Sequence, residues 1–134
     1  SLDMSSAANI TVKKNDGSTD VVYSVLQGMS GTTPAQYKAP ALGATPATQP
    51  ELRVHSRQNQ SNVGKVIATF MYPYSVVNST TGLTSIEKRE TFRLEYTGSL
   101  DVPQATRDEA ASQGMNLLAS SAFKTMLKEL MAAV

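Results

Sequence analysis

The sequence of 134 residues has no cysteine, which excludes disulfides and thiolate metal sites and leaves the redox compartment open. It has little net charge: 12 Lys and Arg against 11 Asp and Glu leave +1. A dedicated nucleic-acid binder is usually more basic, so any polyanion site has to be a local patch. No apolar run approaches the ~20 residues that span a membrane. The opening "SLDMSSAAN" lacks a basic region followed by an apolar one, so no secretion signal is expected and synthesis in the cytoplasm is. No P-loop, dinucleotide-binding glycine pattern or metal-ligand spacing occurs, and Gly28, Gly31 and Gly43 read as loop residues. The one histidine, His55, lies between Arg53 and Arg57. No carboxylate stands by to orient it as a general base. Neither catalysis nor a cofactor nor a metal is expected.

What is present fits one domain with a modest core; the apolar fraction is 40%. "ITVKKNDGSTDVVYSVLQ" predicts a β-hairpin, with Asn15 to Ser18 as the turn and Val21, Tyr23 and Val25 alternating after it. The Gly, Pro, Thr and Ala-rich stretch from Gln27 to Pro50 reads as a loop with a short strand around Gln36 to Ala39. "ELRVHSRQNQSNVGKVIATFMYP" predicts two strands joined at Asn59 to Asn62. Pro73, which has no N–H to donate, is expected to end the second. A polar loop from Tyr74 to Ser85 and a long strand, "IEKRETFRLEYTG", follow. At Asp101 the period changes. "DVPQ" resembles a capping box with Asp101 at the cap, and Met115, Leu118, Ala119, Ala122, Phe123, Met126, Leu127, Leu130 and Met131 keep helical spacing. Strands first and helices last predict an α+β fold: hairpin and antiparallel sheet of about five strands over 8–98, helices over 101–133. One helical segment is too little to cover the sheet, so helices lent by a second copy, in a homodimer, are expected. The expected dimer contacts are Met115, Leu118, Phe123, Leu127 and Leu130.

The two faces of the sheet differ. Leu52, Val54, Val66, Ala68, Phe70, Tyr72, Phe92, Leu94 and Tyr96 form the apolar one. Arg53, Arg57, Lys65, Arg89 and Arg93 stand opposite, against only Glu51 and Glu95. Antiparallel sheets often turn one side to water, and a solvated face is the plainer reading. Arginine outnumbers lysine there four to one, however, and its planar fork suits phosphate.

The order of these parts resembles the coat proteins of small single-stranded RNA bacteriophages of the levivirus type. The resemblance rests on the hairpin "ITVKKNDGSTDVVYSVL", the paired strands "ELRVHSRQ" and "VGKVIATFMYP", the long strand "RETFRLEYTG" and the helical "LLASSAFKTML". It covers almost the whole chain, by order, lengths and face pattern rather than by one motif. It implies a single coat-protein domain over 1–134 whose dimers interlock through their helices and assemble into an icosahedral shell. The virion would be assembled in the bacterial host cytoplasm, with genomic RNA and a single-copy maturation protein as partners. The loop from Pro73 to Ser85 would gather at the symmetry axes. RNA would lie on Arg53, His55, Arg57, Lys65, Ile67, Thr69, Arg89, Thr91 and Arg93, and an RNA hairpin held there would repress replicase translation. Two positions depart from the family. The polar face of the last strand has no aromatic residue to stack on a loop base, and Ile67 stands where a polar residue is common. Phosphate contacts survive both changes. The alternatives are a dimeric sheet-based RNA-binding regulator that does not assemble, and a non-viral shell or filament subunit without nucleic acid.

Overall fold

The computed structural model describes residues 6–134. Six strands come first: β1 Ile10–Lys13, β2 Asp20–Gln27, β3 Ala35–Lys38, β4 Glu51–Gln58, β5 Val63–Val77 and β6 Thr84–Ser99. Two helices follow, α1 Gln104–Leu118 and α2 Ser121–Glu129. The strands neighbour one another in chain order in a single sheet that includes the N-terminal hairpin.

A short amide or carboxylate side chain shapes each hairpin turn, the local chemistry expected of Asn and Asp. Asp16 Oδ1 accepts the N–H groups of Ser18 and Thr19, both at 2.9 Å. Asn59 Oδ1 accepts those of Ser61 and Val63 at 2.9 and 3.1 Å. Asn78 Oδ1 accepts those of Thr80 and Thr81 at 2.8 and 3.1 Å. Gly17 (φ 74°) and Gly82 (φ 71°) supply the left-handed backbone of the first and third turns.

The chain forms two compact units, one of residues up to 58 with 65–97, the other of 59–64 with 98–134. In the first, the register sets Tyr37 opposite Val25 and Leu52, and Ala35 opposite Val54. Period-2 alternation therefore puts these side chains on one face. Val21, Tyr23, Ala35, Tyr37 and Ala39 are buried there, and Val25, Leu42, Leu52, Val54 and Phe70 pack against them. The rings of Tyr23 and Phe70 meet in a T-shaped pair at a centroid distance of 5.8 Å. This core is small and lies toward β2, β3 and β4. The same face of β5 and β6 leaves Val66, Tyr72 and Phe92 exposed.

Pro73 does not end its strand: β5 runs on to Val77, and the turn occupies only 78–83. The Asn59–Val63 hydrogen bond sets the eight residues of β4 against the first half of β5. Pro73 falls where β5 outruns β4, so on that side its missing N–H costs no ladder bond.

In the second unit, the Asn62 carbonyl accepts the Leu100 N–H at 2.7 Å, and Asn62 Nδ2 donates to Asp101 Oδ1 at 3.4 Å. Asp101 is thereby used in a turn and is not the helix cap; Pro103 is, without a side-chain cap bond. The helical run divides at Ala119 and Ser120. Ser120 Oγ donates to the Leu117 carbonyl at 2.7 Å and accepts the Phe123 N–H at 3.3 Å, capping α2. Leu130, in the left-handed region (φ 56°), stops α2, and the Met131 N–H returns to the Met126 carbonyl at 3.0 Å. No residue of either helix is buried.

Candidate nucleic-acid interface

The face opposite the small core is polar because the alternation that turns Leu52 and Val54 inward turns Glu51, Arg53, His55 and Arg57 outward. The β3–β4 register sets Lys38 opposite Glu51 and Gln36 opposite Arg53. Lys38 Nζ lies 3.1 Å from Glu51 Oε2, and Arg53 Nε donates to Glu51 Oε1. Lys38 Nζ also donates to the Pro46 carbonyl at 2.7 Å. Glu51 is buried at 6% exposure, which marks it off from every other charged group described. Burial pushes its pKa up, but hydrogen bonds from Lys38, Arg53 and Gln36 outweigh that and hold it below the usual carboxylate range. Glu51 is therefore an anion with two cations fixed around it.

Farther along the face, Lys65 Nζ and Glu95 Oε1 are 3.5 Å apart, both substantially exposed. An exposed pair of this kind contributes at most about 1 kcal/mol and is screened by salt. Arg57, Arg89 and Arg93 are exposed and form no ion pair among the described residues. His55, Ile67 and Thr69 are half-buried, and Thr91 is exposed. A recess of about 140 Å³ opens between Lys38, Gln49, Glu51, Met71, Pro73 and Arg89. Among the described residues no His, Asp or Glu cluster has the makings of a metal site.

Lys38 is the residue the sequence reading missed. The signal was there: in "AQYK" Lys38 alternates with the buried Tyr37, which puts it on the polar face once the strand is drawn. Its partner could not be read, since only the β3–β4 register brings Glu51 opposite.

On the helices, Phe123, Leu127 and Leu130 line an apolar groove of about 280 Å³ with Met126, Met131 and Ala132. Met115 and Leu118 do not line it. Leu118 and Phe123 are half-buried; Met115, Leu127 and Leu130 are exposed.

No protein-family model matches the sequence, and no curated protein does. Solved structures match it along nearly its whole length. The virus-like particle subunit of bacteriophage NT-214 superposes with a TM-score of 0.83 at 13% identity, over 97% of this chain and 100% of that one. The chain has the phage coat-protein fold. The virus-like particle of Beihai levi-like virus 21 gives 0.82 at 17% identity, over 97% of this chain and 99% of that one. The capsid protein of bacteriophage GA gives 0.69 at 10% identity, over 93% and 95%. At these identities the common property is the backbone path: the coat-protein fold of this chain carries side chains of its own on both faces of the sheet.

Proposed function

We propose that this chain is the structural subunit of an RNA phage shell, which dimerises, assembles into a closed particle and holds RNA against the polar face of its sheet. The observation that carries this reading is the end-to-end correspondence with coat-protein and virus-like-particle subunits, at a TM-score up to 0.83 over 97% of the chain. The uncovered apolar surfaces support it. Helices of this length are marginal in water by themselves, and here none of their side chains is buried. Val66, Tyr72 and Phe92 on the sheet are likewise left open. A second copy covering both sets of apolar side chains accounts for them, at about 1.5–3 kcal/mol for each large side chain fully buried.

The RNA reading rests on the cation excess of the polar face and on the three arginines that no carboxylate neutralises. Contacts of this kind read phosphate rather than base. Thr91 stands on β6 where an aromatic side chain could have stacked a base, so the affinity expected is general and salt-dependent. Repression of translation by a bound hairpin would need base contacts from His55, Thr69 or Thr91. Virion localisation and a maturation-protein partner follow from the same reading.

The test is size-exclusion chromatography of the full chain expressed alone in bacteria, with protein and nucleic-acid absorbance followed together. A particle near the void volume with nuclease-resistant nucleic acid is the expected result. A small dimer with bound RNA would favour the non-assembling regulator. A large particle free of nucleic acid would keep the shell and remove the role given to the arginines.

A further inference from the structure

Resting on the reading of the polar face as the RNA surface, we propose that Glu51 is a built-in counter-anion. It takes Arg53 and Lys38 out of phosphate binding and leaves Arg57, Arg89 and Arg93 as the residues that meet RNA. Glu51 and Arg53 are two apart on one strand and share a face, while Lys38 sits directly across the ladder. The carboxylate side chain is 8% exposed and the Lys38 side chain 15%. Lys38 is further held by the Pro46 carbonyl. The trio carries one net positive charge, although two cations point to this face. A phosphate that drew either cation away would leave a buried carboxylate short of a partner, which is strongly unfavourable. Arg53 is half exposed, so it looks available by exposure alone, and it stands at the centre of the sequence-predicted site. Its guanidinium is already held by Glu51.

The experiment measures binding of the full-length protein to a short polyuridine oligonucleotide across a range of salt. Polyuridine offers phosphates with little base structure, so it reports the electrostatic contacts. Arg57→Gln should weaken binding about fivefold at 0.1 M salt and flatten the salt slope by ~0.7, the value of one single-strand phosphate contact. Arg53→Gln should change affinity by no more than about twofold on the same scale. Glu51→Gln should tighten binding about fivefold and steepen the slope by ~0.7, because the freed cation releases one more counterion. Adding Arg53→Gln to Glu51→Gln should cancel that gain. An Arg53→Gln loss equal to that of Arg57→Gln, or an unchanged slope in Glu51→Gln, overturns the inference. Should Glu51→Gln fail to fold, the comparison of Arg53→Gln with Arg57→Gln decides alone. Failure of the wild-type protein to bind, or binding that ignores Arg57→Gln, removes the RNA reading itself, and this inference with it.

Discussion

Asp16 shows how much one side chain contributes to a turn. It accepts the Thr19 hydroxyl at 2.5 Å and the backbone N–H groups of Thr19 and Ser18. The Thr19 hydroxyl first, and then those N–H groups, lower its pKa from 3.8 to about 2. A carboxylate whose pKa is depressed by folding stabilises the fold above its unfolded value, and that contribution is lost as pH falls through the folded one. The stability difference between the wild type and Asp16→Asn should therefore hold steady at neutral pH and narrow from about pH 4 to about pH 2. Thermal melts of both proteins at a series of acid pH values check this; a difference that ignores pH would mean the carboxylate is not what closes the turn. Glu51 titrates in the same direction in both proteins, so it cancels from the comparison. Arg53 teaches the complementary lesson. Its exposure and its position on the strand were legible in the sequence, but its neutralisation by Glu51, shared with Lys38 of another strand, was not.

Among the elements, α2 is held by its ends. Ser120 caps its start through the Phe123 N–H, and Leu130 in left-handed geometry closes it. Ser120→Ala removes the only side-chain cap of either helix and should cost about 1 kcal/mol. It should also weaken the break between α1 and α2. Chemical denaturation gives the first quantity, and an unchanged midpoint would show that α2 is held by other contacts. The helical period was visible in the sequence from Met115 to Met131, because an apolar stripe is a local pattern. The period alone does not mark the break, and Asp101 was expected at a cap that Pro103 occupies. Capping depends on which way the chain enters the helix. Here that entry is fixed by Asn62, which ties the 98–101 segment to the turn at 59–64.

At the scale of the whole molecule, the apolar surface left open asks for a second copy. On the proposed reading Leu127, 42% exposed in the single chain, becomes buried on assembly. Leu127→Asp should then leave the single chain nearly unaffected and abolish the dimer, since an unpaired carboxylate would be carried into an apolar contact. Analytical ultracentrifugation separates the two states, and a soluble dimer of Leu127→Asp would contradict a contact made by α2. The wild type should also melt at a lower temperature on dilution, because association stabilises by mass action.

The sequence by itself determined the strands, the turns and the change to helix. Alternation, an Asn or Asp at each hairpin, and an apolar stripe each act within a few residues of the chain. The tertiary structure alone decided three things. Pro73 passes inside β5 because β5 outruns its neighbour. Lys38 joins Glu51 because the β3–β4 register sets them opposite. Arg57, Arg89 and Arg93 stand outside the ion pairs that Glu51 and Glu95 make with other cations. Each of these turns on which strand lies beside which, and on the offset between them. Residues far apart in the chain fix that pairing together, so no local window of the sequence contains it.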